Sequence, residues 1–239
     1  LLGHDGIGKT DWKLWYYLVL SSKYGITHCI WAGENLSGQL MRKLIQMYTG
    51  TEFKSLERFE IERAKEIING WFSFIDNEKD YTPADMLKIM EDAGTDNCFI
   101  DPVSGLKRNF SYEGVYEINH QFRQFAKTKK KTITISAHPV TGSGRGLGIY
   151  KEGHMYSGHL RPPYKGDIEG GKPWLNRVDD MLIAHRLVSH DSLKFLTQIQ
   201  TVKIKDMDTG GGYTKEDDPV MFDFNDGLGF KVGGIDPIN

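Results

Sequence analysis

Residues 3–10 limit what this chain can fold into more than any other stretch. Gly3-His4-Asp5-Gly6-Ile7-Gly8-Lys9-Thr10 satisfies the pattern G-x-x-x-x-G-K-[ST] at every position. Glycines at these spacings let the backbone wrap an anion, with successive N–H groups pointing inward at a phosphate. Lys9 adds a point charge for the β- and γ-phosphates, and the Thr10 hydroxyl is placed to ligate Mg²⁺. A helix starting at this point contributes its positive dipole end. The expectation is a bound nucleoside triphosphate, ATP or another, with Mg²⁺. Such a loop normally follows a strand, yet only Leu1 and Leu2 precede it. The sequence therefore reads as a fragment whose first core strand is truncated.

The 239 residues suit one large unit with a substantial core, covering 1–239. A net charge of −2 gives no global basic field, so any nucleic-acid contact must come from local basic loops. Cys29 and Cys98 both lie in apolar runs and read as core thiols, which fits a reducing cytoplasm. No signal peptide and no apolar run of membrane-spanning length is visible, so no membrane association is expected.

Strand-like and helix-like segments alternate along the chain. Asp11 to Ser22 reads as an aromatic-rich helix and Thr27 to Ala32 as a short buried strand. Ser37 is placed as N-cap of a helix reaching Thr49, with Leu40, Leu44 and Met47 on one face. Ser55 to Asn69 reads as a helix with Phe59, Ala64, Ile67 and Ile68 inward, and Trp71 to Ile75 as a strand. Pro83 opens a helix to Asp92. Asn97 to Ile100 is a strand, Glu113 to Lys129 an amphipathic helix and Thr132 to Ala137 a strand. Residues 140–171 form a long Gly-rich stretch without periodicity, and loops of that length are usually functional or disordered. Strands follow at Met181 to His185, Phe195 to Ile204, Val220 to Phe224 and Gly229 to Val232. This order implies an α/β fold: a mainly parallel central sheet flanked by helices, with additional C-terminal strands.

In open α/β sheets ligand chemistry gathers at the carboxyl ends of strands. Four groups fall there: the phosphate loop, Glu34, Asp101 and His138. Asp101 ends the apolar run Cys98-Phe99-Ile100, as expected of a carboxylate that holds Mg²⁺ together with Thr10. Glu34 is placed to orient and polarise an attacking water. His138 is placed to hydrogen-bond a γ-phosphate and report its loss.

Beyond these groups the chain resembles, over nearly its whole length, the RecA-like ATPase domain of replicative hexameric DNA helicases. It is most similar to the phage primase–helicase and Twinkle type, and more distantly to DnaB. Trp31-Ala32-Gly33-Glu34-Asn35 resembles the family's strand ending in the catalytic Glu, and Phe99-Ile100-Asp101-Pro102 its metal-binding strand. Ser136-Ala137-His138-Pro139 resembles the phage and mitochondrial sensor strand. In the stretch from Arg161 to Arg186, Asp167, Gly170, Gly171, Asp179 and Arg186 fall on matching positions. The resemblance implies ATP-driven translocation on single-stranded DNA, a hexameric ring in the full-length protein and a primase domain or partner. It also implies a bacterial or phage-infected cytoplasm rather than a mitochondrion, and a subunit-linking N-terminal helix that this chain lacks. DNA would meet loops between His138 and Arg186, where Arg145, Lys151, Arg161, Lys165 and Lys172 lie among glycines. His154 and His159, in the same region, read as loop residues and not as metal ligands.

One position departs from the family pattern K-x-R-x-T-G. The chain reads Lys205-Asp206-Met207-Asp208-Thr209-Gly210, with Met207 where the family carries the arginine that reaches a neighbouring subunit's nucleotide. Such an arginine is worth about 10³–10⁵ in rate. Lys203 or Lys205 then becomes the candidate for the trans-acting cation. Two other functions stay open on the sequence: a RecA- or RadA-like recombination ATPase, and a nucleotide-binding scaffold with negligible turnover.

Overall fold

β1 (His28–Ala32) and β3 (Asn97–Asp101) are buried along their whole lengths and lie side by side in parallel, with Cys29 opposite Cys98. A strand with both faces covered must be apolar on both, and H-C-I-W-A and N-C-F-I-D meet that condition almost throughout. The computed structural model describes residues 1–107, 111–140 and 148–238. In it β2 (Phe72–Phe74) and β4 (Thr132–Ile135) flank this pair, giving a parallel sheet of order β2-β1-β3-β4. The C-terminal strands β5 (Met181–Arg186), β6 (Leu196–Lys203), β7 (Val220–Phe224) and β8 (Phe230–Lys231) form an antiparallel sheet in sequential order. Leu2 joins the two sheets, pairing in parallel with Ala137 on one side and Ile183 on the other.

Helices cover both faces. One face buries Ile30, Ala32 and Phe99 under α1 (Lys9–Tyr24), α2 (Ser37–Thr49) and α3 (Arg58–Asn69). The other buries Trp31, Cys98 and Ile100 under α4 (Pro83–Asp92), α5 (Tyr112–Lys129) and α6 (Lys172–Arg177). Trp12 and Trp15 of α1 meet Phe222 edge-on at 5.6 and 5.7 Å, which packs this helix against the antiparallel sheet too. Local signals set the helix ends. Gly8 and Gly25, both left-handed, bound α1; Thr82 caps α4 ahead of Pro83; the Ser111 hydroxyl accepts from the Gly114 N–H at the start of α5.

Three local expectations need correction. Ser37 is the first residue of α2 and Leu36 occupies the cap position. A short 3₁₀ turn at Phe53–Ser55 delays α3 until Arg58, and its inward stripe runs through Ile61, Ala64 and Ile68. Phe59 lies on the far side of that helix, 71% exposed. The six-residue α6 is too short to show a period in the sequence.

A cleft of about 770 Å³ opens beneath Leu1 and Leu2, between β4 and β5. Its walls include Lys13, Tyr17, Asn97, Thr134 and Asp179, and none of the residues of the phosphate loop. Among the described residues no helix is long and apolar enough to cross a membrane.

Candidate nucleotide site

The phosphate loop leaves Leu2 at the carboxyl edge of the sheet, between the ends of β4 and β5. Gly6 and Gly8 take left-handed backbone angles (φ 70° and 86°), which a side chain at either position would strain. Gly3 is required for a different reason: a Cβ there would meet the Ala184 carbonyl at 2.7 Å. Lys9 is buried, and its ammonium donates to the carbonyls of Gly3 (2.8 Å) and His4 (2.9 Å). Burial lowers its pKa, while Asp101, Asp5 and Glu34 oppose that shift. The cation is thus held at the centre of its own loop by carbonyl oxygens, acceptors that phosphate oxygens can replace.

Asp101, at the end of β3, lies within the same cluster. The Thr10 hydroxyl donates to its Oδ2 at 2.5 Å, and the Ser136 hydroxyl donates to its Oδ1. Ser136 follows β4, so the parallel pairing of β3 with β4 brings the two residues together. A carboxylate and a hydroxyl converging in this way form the hard oxygen donor set that Mg²⁺ prefers. The residues therefore fit the ion.

His138 meets the loop from the same strand end. Its Nδ1 lies 2.5 Å from Asp5 Oδ1 and 3.3 Å from Lys9 Nζ. One nitrogen cannot serve both partners. With a proton it donates to Asp5, and without one it accepts from Lys9. Glu34 is exposed just beyond β1, and of its charge the clearest trace is the field it exerts on Lys9.

The stretch from Arg161 to Arg186 fixes several further groups. Asp167 closes a turn by accepting from the Tyr164 N–H. Gly170 (φ 89°) admits no Cβ, since Trp174 Nε1 would lie 2.8 Å away, and that indole donates to the Glu169 carbonyl. Asp179 pairs with Arg123 at 3.0 Å and with Lys205 at 2.8 Å. Arg186 lies beside Gly8, with its guanidinium 4.8 Å from the centre of the Phe224 ring.

Lys151, Lys165 and Lys172 are placed on the surface side of this stretch, the first two fully exposed. Arg145 lies outside the described residues. The two trans-cation candidates differ. Lys203 Nζ donates at 2.6 Å to the carbonyls of both Leu175 and Val178, so it is occupied within its own chain at the end of α6. Lys205 is 58% exposed. Among the described residues no three His, Cys, Asp or Glu side chains converge to hold a metal.

Sequence reasoning did not assign roles to Ser136, Asp5 or Phe224. Period-two alternation in β4 was the available signal for Ser136, which shares a face with His138. Nothing local marked the other two.

A parallel sheet carrying a phosphate loop, a metal-type Asp and a strand-end His at one edge, extended by an antiparallel sheet, is the RecA-like ATPase fold. Two solved structures share it. One, the ATPase domain of a helicase, superposes with a TM-score of 0.75 at 12% identity, covering 96% of this chain and 82% of that one. A DnaB-like replicative helicase, whose structure was described with its interactions with primase, superposes with a TM-score of 0.73 at 11% identity. That match covers 94% of this chain and 56% of the helicase chain, so this chain spans little more than half of it. No family model and no curated protein matches the sequence.

Proposed function

We propose that this chain is the ATP-hydrolysing motor domain of a hexameric replicative DNA helicase. The observation that carries the proposal is the meeting of Lys9, Thr10, Asp101 and His138 within one hydrogen-bonded cluster at the edge of a RecA-like sheet. Gly3 to Thr10 would cradle the phosphates with backbone N–H groups while Lys9 exchanges its carbonyl partners for phosphate oxygens. Thr10 and Asp101 would hold Mg²⁺, whose role when bound is to neutralise developing phosphate charge. Ser136 keeps the Asp101 carboxylate turned toward Thr10. Glu34 orients water and accepts its proton, and His138 senses whether the terminal phosphate is present. Lys205 is the trans-acting cation in the ring, since Lys203 is already bonded at α6. Lys151, Lys165 and Lys172, with Arg145, would track the phosphates of single-stranded DNA. Primase is the partner class suggested by the DnaB-like neighbour.

The test is steady-state ATP hydrolysis with and without single-stranded DNA, with Lys9→Ala as the inactive control. Turnover that rises with DNA supports the motor, whereas a rate at the Lys9→Ala background leaves the scaffold reading. Electron microscopy of the full-length protein separates closed rings from the filaments of a recombination ATPase.

The stacked Arg186 and Phe224 side chains give a flat surface next to Gly8 on which a nucleobase can lie. Phe224→Ala is expected to weaken ATP binding by about tenfold, the range for one base–aromatic contact. Tripolyphosphate, which has no base, should compete equally well in both forms. Titration with a fluorescent nucleotide reads both effects, and an unchanged ATP affinity would remove Phe224 from the site.

A further inference from the structure

Residues 148–161 form a hairpin, bridged between Ile149 and Leu160 and closed by Tyr150 N–H to His159 O (3.0 Å) and Arg161 N–H to Gly148 O (2.7 Å). Its tip is held by aromatic and polar contacts. Tyr150 stacks on His154 with centroids 4.1 Å apart, and His159 Nδ1 meets Ser189 Oγ at 3.0 Å. Its other arm, at Leu160 and Arg161, lies over two histidines of the nucleotide edge. The His4 imidazole, half-buried, faces the Arg161 carbonyl. His185, fully buried in β5, faces Leu160, and neither of its ring nitrogens reaches a partner at hydrogen-bonding geometry among the described residues. This arm is therefore seated on polar groups, one of them unsatisfied, and such a seat is weak because unmet buried polar groups oppose it.

Lys9 is linked to the segment by two separate routes. Its ammonium is bonded to the His4 carbonyl, and the His4 ring faces Arg161. It also lies 3.3 Å from His138 Nδ1, and the His138 carbonyl accepts from the Glu169 N–H (3.0 Å). When Lys9 turns to a phosphate, the Gly3 and His4 carbonyls lose their donor and the peptide carrying His4 must re-form. We infer that His4, at a freely variable position of the phosphate loop, is a positioning residue that couples nucleotide binding to the seating of the 148–161 hairpin. This inference rests on the nucleotide site proposed above. It adds a route from the loop itself to the segment holding Lys151 and Arg161, independent of the strand-end histidine.

Hydrogen exchange read by mass spectrometry, with and without saturating slowly hydrolysed ATP analogue, separates the routes. In the wild type, nucleotide should change exchange across 148–162 and across 166–171, each by about fivefold, the factor that one hydrogen bond is worth. His4→Ala should lose the change in 148–162 and keep it in 166–171, and His4→Gln, which retains an N–H donor, should restore it. Should His4→Ala fail to fold, His4→Leu fills the same volume without a donor and takes its place. A fluorescent nucleotide confirms saturation of each variant. A wild-type-sized response across 148–162 in the donor-less variant overturns the inference, as does a saturated wild type with no response there. Absence of nucleotide binding in the wild type overturns the site reading itself, and the fluorescent titration shows this separately.

Discussion

Glu34→Gln is expected to lower ATP turnover by about 10²–10⁴-fold, the range for loss of a positioned general base. ATP affinity should stay within about twofold, because glutamine keeps the size and the polarity of the side chain and loses only its ability to take a proton. Glu34 stands exposed beyond the end of β1, and no phosphate-holding group depends on it. Its charge does help hold Lys9 in the protonated form, but Asp101 acts on Lys9 more strongly. Binding and chemistry should therefore separate cleanly: kcat falls while the dissociation constant does not. A Lys9→Ala control behaves differently, losing affinity together with rate. Single-turnover hydrolysis beside equilibrium titration distinguishes the two patterns. A Glu34→Gln rate within about twofold of wild type would mean that another group activates the water.

Which parts of this picture were legible in the sequence follows from the range over which each contact acts. The phosphate loop, the caps at Thr82 and Ser111, and the buried strands β1 and β3 are written in residues a few positions apart. Their placement follows from propensity and period. Asp101 and His138 were legible because chemistry collects at strand ends. What those groups touch was not. The Ser136 bond to Asp101 depends on the register of β3 against β4, and the Asp5 contact to His138 on where a loop residue points. Phe224 reaches Arg186 only through the pairing of β6 with β7, far along the chain from the phosphate loop. Lys203 and Lys205 look equivalent as letters. One docks on the end of α6, a helix too short to be seen in advance, and that alone separates them. Phe59 failed for a related reason: a 3₁₀ turn moved the helix start and with it the apolar stripe.

Lys13→Met should stabilise the 239-residue chain, and the gain should depend on pH in a defined window. Lys13 is buried in α1 at the wall of the cleft beneath Leu1, with its ammonium 4.9 and 4.5 Å from the Tyr16 and Tyr17 ring centres. Among the described residues no carboxylate pairs with it, and burial pushes its pKa down to about 7. In the unfolded chain the same amine titrates near its ordinary value of about 10.4. Between these values the unfolded state binds the extra proton, so stability rises with pH at up to about 1.4 kcal/mol per unit. Below pH 7 both states are protonated and the full cost of the buried charge remains. The facing groups do not titrate here: burial pushes the Leu1 ammonium down to about 5 and His28 to about 4, leaving both neutral. Above pH 9 the buried thiols reverse the trend. Cys29 is pushed up to about 12 and Cys98 to about 11, so the unfolded chain loses those protons first. The two tyrosine rings favour the charged amine and reduce the cost, which leaves an expected change of about 2 kcal/mol between pH 7 and 9. Urea unfolding of wild type and Lys13→Met at pH 6, 7, 8 and 9 measures it, and the thiol and histidine contributions cancel in the difference. The variant should lead by the largest margin at pH 6, with the gap closing toward pH 9. A gap that stays constant across that range would show that Lys13 keeps its proton in the folded chain, held by the tyrosine faces against the burial that should remove it.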